Sequence, residues 1–175
     1  MSILTNTSAV SYKNQRVGVF VDVQNMYHSA KNIYHSRVDF KEILLSAVSD
    51  RQLIRAFAYV ITTESGDETK FLSALSKQGF EIKEKDLQIF AGGMKKADWD
   101  VGMAVDAIAM ADKLDVVVLV TGDGDFVPLV DYLKINKGCL VEVMAFSDSV
   151  SHRLVEVADF FIDLGGKKSN FLIKQ

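Results

Sequence analysis

The chain is poor in the residues that staple, kink or metallate a fold. Among 175 residues there is one cysteine, Cys139, so no internal disulfide can form and no CxxC pair can hold a metal. That thiol stands in the apolar run CLVEVMAF and is expected in the core. The single proline, Pro128, falls near the start of a helical stretch, where its missing backbone donor breaks no bond. Three histidines, His28, His35 and His152, are scattered, and with one cysteine they supply no zinc-ligand grouping. No apolar stretch approaches the roughly 20 residues needed to span a bilayer. The start MSILTNTSAV has no basic, signal-like segment, so no membrane association and a cytoplasmic location are expected. A net charge of -3 argues against an extended nucleic-acid footprint but leaves room for a local basic rim.

What is present is a foldable mixture, 49% hydrophobic and 25% charged, which excludes general disorder. This length suits one domain that buries roughly 70% of its unfolded surface. Residues 1–15 read as a polar, aperiodic arm, 16–164 as the domain and 165–175 as a tail. RVGVFVDVQN is strand-like, with apolar residues on both faces, as in a parallel sheet covered by helices on both sides. NMYHSAKNIYHS and VDFKEILLSAVS predict helices, the second opened by Asp39, and LIRAFAYVIT predicts a strand. ESGDETKFLSALSKQG has acids at its start and Gly79 at its stop, the signature of a helix. FEIKEKDLQIF reads as an extended edge element interrupted near Asp86, and AGGMKKAD as a loop. WDVGMAVDAIAMADK, FVPLVDYLKINKG and SVSHRLVEVA are helical, while DVVVLV, CLVEVMAF and FFIDL are strands. Strands alternating with helices predict βαβ units and a three-layer α/β/α fold with a mostly parallel sheet.

The chemistry gathers where strands end. Asp22 and Asn25 follow the first strand in VDVQN, Asp123 and Asp125 follow a later one in TGDGD, and Asp98 and Asp100 enter a helix in KKADWD. In an open α/β sheet, ligands collect beyond the carboxyl ends of the strands where strand order reverses. If the first strand and DVVVLV are neighbours there, Asp22, Asp123 and Asp100 share one crevice. Carboxylates so held raise one another's pKa and oppose folding unless a cation joins them. A sparse all-oxygen set suits Mg²⁺ or Mn²⁺. The expected metal ligands are Asp22, Asp100, Asp123 and Asp125, and the expected reaction is phosphodiester hydrolysis, with Asn25 positioning phosphate or water. Thr121 is a candidate contact to phosphate or metal-bound water. The plainer alternative is that acids and glycines after strands only cap and turn the backbone. Asp106 lies inside the apolar stretch AVDAIA, where an unpartnered aspartate is costly.

FVDVQNMY (20–27), KKADWDVGMAVDAIAMA (95–111), VVVLVTGDGDFVPLVDYLKINKGCLVEVMAF (116–146) and the later SHRLVEVADFFIDL together resemble the NYN family, in its LabA-like branch within the PIN-like nuclease group. The resemblance covers about residues 16–164. It implies a PIN-like α/β/α fold and an acidic pocket for metal-dependent RNA cleavage. The family's acidic positions fall on Asp22, Asp100, Asp106, Asp123 and Asp125, and its asparagine on Asn25. Thr121 and Gly124 stand where the family's SGDSDF-like segment has serines, so only the first retains a hydroxyl. Gln24 departs from the Gly or Glu often found beside the asparagine.

Single-stranded or structured RNA is therefore the expected partner. Lys95 and Lys96 are candidates to meet its phosphates, and Trp99 either stacks on a base or returns to the core. Ser147, Ser149 and Ser151 are candidates to cap the following helix or touch phosphate. A homodimer is a further possible partner arrangement. A noncatalytic RNA-binding or regulatory module and a metal-dependent phosphatase are the alternatives.

Overall fold

The computed structural model describes residues 12–173 apart from 64, 67, 167 and 168. Most of the expected arm, residues 1–11, and parts of the expected tail lie outside the described residues, as do Glu64 and Asp67 ahead of the third helix. In chain order the elements are β1 (Arg16–Asp22), α1 (Val23–Tyr34), β2 (Arg37–Val38), α2 (Phe40–Val48), β3 (Gln52–Thr62), α3 (Thr69–Lys77), β4 (Glu81–Asp86), β5 (Gln88–Ile89) and β6 (Lys95–Lys96). There follow α4 (Asp100–Met110), β7 (Val116–Val120), α5 (Val127–Ile135), β8 (Leu140–Ala145), α6 (His152–Val157), β9 (Phe160–Asp163) and β10 (Leu172–Ile173).

Six strands form one parallel sheet in the order β4-β3-β1-β7-β8-β9. The chain begins in the middle, builds outward to β4, then returns to lay β7 against the free side of β1. Strand order reverses between β1 and β7, and this is where an α/β sheet of this kind opens a crevice. The β1–β7 register runs from Val17↔Val116 to Val21↔Val120, so the residues after both strands emerge side by side.

Period-two alternation sorts the side chains between two cores. Val17, Val19 and Val21 of β1 pack with Val116, Val118 and Val120 of β7 beneath α1, α2 and α3. Phe20, Val117 and Leu119 point the other way, against Met103 and Ala107 of α4, Leu133 of α5 and Leu154 of α6. Each such side chain contributes roughly 1.5–3 kcal/mol on full burial. Cys139 is buried in this second core, as expected, with Sγ 3.5 Å from the Ala111 carbonyl; burial pushes the thiol pKa up.

The helix signals act as their chemistry demands. Asp39 caps α2 by accepting from Glu42 N at 3.1 Å, and Gly79, at φ +108°, makes the left-handed step that ends the α3 segment. Two elements depart from expectation. AGGMKKAD is not all loop: Lys95 and Lys96 form β6, antiparallel to β5, closed by Phe90 N donating to Met94 O at 2.8 Å. A two-residue ladder has no periodicity to announce it. Within the expected tail, β10 pairs with β2, Leu172 opposite Val38.

Candidate metal centre

Asp22 ends β1 and caps α1, so its position is set by two elements at once. Its Oδ1 accepts from Asn25 N at 3.1 Å, and its Oδ2 accepts from the Thr121 hydroxyl at 3.2 Å. Thr121 Oγ1 in turn accepts from Asp123 N at 3.2 Å, and Asn25 Oδ1 accepts from Gly122 N at 2.9 Å. Asp123 Oδ1 accepts from Asp125 N at 2.9 Å. The β1 and β7 loops are thereby laced together by side chains, and Thr121, fully buried, is the knot.

Asp100 enters from the opposite side at the first turn of α4. One carboxylate oxygen from each of Asp100, Asp123 and Asp125 lies within 4.8 Å of the others, a grouping able to hold a metal ion. Asp22 is outside this group of three but adjoins it electrostatically: its charge acts on Asp100, and that of Asp123 acts on it. Burial, then the charges of Asp123, Asp22, Asp98 and Asp125, push Asp100 up to about 6. Burial also raises Asp22, against the opposing pull of the Asn25 and Thr121 hydrogen bonds. Asp22 and Asp100 thus resist ionising beside the other acids of the cleft, the electrostatic condition a bound divalent cation reverses.

The other candidate residues have distinct settings. Asp106 is not an orphan among apolar neighbours: Tyr59 Oη donates to its Oδ2 at 2.8 Å and Lys83 Nζ stands 3.5 Å away. The Trp99 indole N–H donates to Val60 O at 3.0 Å, and its ring meets Tyr59 edge-on. Lys85 Nζ is 4.9 Å from the Trp99 centroid, and Gly102 packs closely against the same ring. Lys95 and Lys96 are exposed on the β5–β6 hairpin just before α4. His28 lies exposed on α1, and its charge opposes the rise at Asp22. Ser151 occupies the N-cap position of α6 without a capping bond from its hydroxyl, while Ser149 Oγ bonds Ser29 Oγ at 2.9 Å.

Sequence reading missed the reason for Gly124. A Cβ there would stand 2.7 Å from Ser151 Oγ and 3.0 Å from Ser151 Cβ. Ser151 is held in place because its backbone N–H donates to Gly122 O at 2.9 Å. Gly124→Ala is therefore expected to cost about 1–3 kcal/mol by overpacking. Adding Ser151→Gly should recover most of that loss. Urea denaturation of the two single variants and the double variant checks this, and additive losses would show that the two residues do not compete for the same space.

No helix among the described residues is long and apolar enough to cross a membrane. Comparison with known proteins agrees with the geometry. The NYN domain matches residues 16–165. The Low amplitude and bright protein LabA of Synechococcus elongatus is 24% identical over 169 residues, spanning 91% of this chain and 89% of that protein. A crystal structure of a protein of unknown function from Vibrio parahaemolyticus superposes with a TM-score of 0.84 at 32% identity, covering 94% of this chain and 100% of the other. The fold is thus PIN-like α/β/α, and its acidic cluster is consistent with a metal-dependent nuclease-type site. With a laced β1–β7 crevice, an aspartate from each flank and a domain match over nearly all of the described residues, the chain belongs to the NYN domain family, in its LabA-like branch.

Proposed function

We propose that the chain is a metal-dependent ribonuclease that hydrolyses RNA phosphodiester bonds in the β1–β7 cleft. The convergence of Asp100, Asp123 and Asp125 beside Asp22 carries this reading. The donors are all hard oxygens, as Mg²⁺ and Mn²⁺ prefer. Their three facing oxygens lie within 4.8 Å of one another, close enough to share one such ion.

Asp100, Asp123 and Asp125 would hold the ion, with Asp22 as the fourth acid. A bound divalent ion supplies positive charge at a phosphoryl oxygen and acidifies water. The remaining work falls to the chain itself. Thr121 and the Asn25 backbone hold both Asp22 oxygens, which fixes how that carboxylate faces the cleft. The Asn25 carbonyl is occupied by Gly122, so its Nδ2 is the end able to donate to a phosphate oxygen. Thr121 both donates to Asp22 and accepts from Asp123 N, which makes it a positioning residue. Lys95 and Lys96 offset the repulsion between the acids and the RNA backbone.

The test compares single-stranded RNA, single-stranded DNA and para-nitrophenyl phosphate with Mg²⁺ or Mn²⁺, using D22N/D123N prepared identically. RNA should be cut by the wild-type protein only. Equal RNA cleavage by D22N/D123N would place the activity in a contaminant, and turnover of the phosphomonoester alone would make the protein a phosphatase. K95A/K96A should flatten the salt dependence of RNA binding by about 1.4 in the log–log slope, at ~0.7 per single-strand contact.

A further inference from the structure

A cavity of about 700 Å³ opens on the other flank of α1, bounded by α2, α3 and the carboxyl end of β3. Its volume lies in the range of about 300–1,000 Å³ typical of small-molecule sites. Val23, Gln24 and Tyr27 form the α1 wall, with Phe40 and Phe71 facing them. The two phenylalanines meet edge to face, ring centroids 5.8 Å apart. Gln24 follows Asp22 by two residues, so their Cα atoms are at most roughly 7 Å apart. Asp22 turns toward Thr121 of the β7 loop, whereas Gln24 turns into the cavity. The cavity and the acidic cleft therefore sit on opposite sides of one helix start.

Its polar groups define what it can hold. Gln78, at the end of α3, lines the cavity, and its Oε1 is buried without a hydrogen-bond donor among the described residues. A buried carbonyl in that state is costly, and the terminal torsion of a glutamine is soft, so an N–H donor arriving in the cavity draws the amide toward it. Each carboxylate in the lining accepts at one oxygen, Asp39 from Glu42 N at 3.1 Å and Glu68 from the Thr63 hydroxyl at 2.7 Å, and keeps its negative charge. Arg37 and Lys70 are the cations of the lining. The site thus offers apolar and aromatic walls and the amide of Gln78, whose buried carbonyl lacks a donor, while its two cations are balanced by Asp39 and Glu68.

We propose that this cavity binds a nucleobase, presented by an RNA strand whose neighbouring phosphate lies at the acidic cleft. A base has two flat apolar faces and an edge that carries at least one N–H, which an acyl chain lacks. The choice of an RNA strand as the source rests on the ribonuclease reading; the base-binding chemistry of the cavity is the same for a free nucleotide.

The experiment has two arms. In the first, metal-free protein in EDTA is titrated with adenosine 5′-monophosphate and with ribose 5-phosphate, followed by calorimetry. The nucleotide should bind and the sugar phosphate should not. Gln78→Leu removes the unmet acceptor at similar shape, so it should melt no lower than wild type yet weaken nucleotide binding about five- to tenfold, the scale of one hydrogen bond. Ala74→Trp, on the exposed side of α3 where it lines the cavity, should block binding without entering the core. In the second arm, short RNAs carrying one abasic residue at successive positions are cleaved with Mn²⁺. KM should rise at a single position next to the cut in wild type, and at none in A74W. Nucleotide binding without any RNA hydrolysis would keep the cavity as a free-nucleotide site and overturn the strand as its source. RNA hydrolysis with no nucleotide binding and no effect of an abasic residue would overturn the cavity proposal and leave the ribonuclease reading intact.

Discussion

Asp100→Asn is expected to raise the melting temperature of the metal-free protein while lowering RNA hydrolysis by roughly a hundredfold or more, the scale of one transition-state contact. The two effects have one cause. Asp100 is pushed up to about 6 by burial and by Asp123, Asp22, Asp98 and Asp125, in that order. Because its folded value lies above its ordinary 3.8, the folded protein binds its proton more tightly than the unfolded chain does. The group therefore favours folding at low pH, and that contribution is lost as pH rises from about 4 through about 6. An asparagine carries no charge to repel its neighbours and escapes the loss. Other carboxylates have the opposite sign, since Arg16 lowers Asp115 and Arg55 lowers Glu81. The informative quantity is thus the difference in melting temperature between D100N and wild type, measured in EDTA across pH 4 to pH 8. It should widen up to about pH 6 and then level off, and Mn²⁺ should narrow it by stabilising only the wild type. A difference that is flat with pH and indifferent to Mn²⁺ would mean that Asp100 does not belong to a shared anionic site.

Breaking the ion pair between Arg51 and Glu142 is expected to have the largest effect on stability, roughly 3–5 kcal/mol for either residue alone. Both side chains are more than nine-tenths buried. Arg51 Nη1 and Nη2 donate to the two Glu142 oxygens at 2.7 and 2.9 Å, and Nη2 also donates to Ala47 O at 2.7 Å. The pair ties the end of α2 to β8, a strand on the far side of β1 and β7. Removing one partner leaves a buried charge without its counterion, whereas removing both leaves no unpaired charge and costs only the Arg51 hydrogen bonds to Ala47 O and Val48 O. R51M and E142L should each shift the urea midpoint strongly, and R51M/E142L should lie near wild type. If the double variant loses as much as the two single losses added together, the pair is a net source of stability and not mainly a penalty avoided.

Much of the fold was legible because it is written in local periodicity. Successive residues of β1 and β7 alternate between two cores, Asp39 caps α2 and Gly79 ends the α3 segment, each decided by residues within a few positions. The β5–β6 hairpin was not legible, since two residues per strand form no pattern and the turn reads as generic loop. Asp106 looked unpartnered because Tyr59, its donor, lies 47 residues earlier. Arg51 and Glu142 are separated by 91 residues, and nothing near either one announces the other. Of the candidate site, the acids and their loops could be named in advance. Their meeting in one crevice was expected if β1 and β7 were neighbours, but that Asp22 stands outside the group of Asp100, Asp123 and Asp125, held alongside by Thr121, could not be read from the sequence.

The sequence by itself determined the alternation of strand and helix, the apolar faces and the kinds of side chain available at the strand ends, because each depends on neighbours along the chain. Only the tertiary structure decided which of those ends meet. Asp22 reaches Thr121 across 99 residues because the returning chain lays β7 against β1, a choice set by packing of the two cores. The space that excludes a side chain at Gly124, and the cavity behind α1 with its unmet Gln78 carbonyl, come from the same source. They are gaps between elements, and a gap belongs to no single stretch of chain.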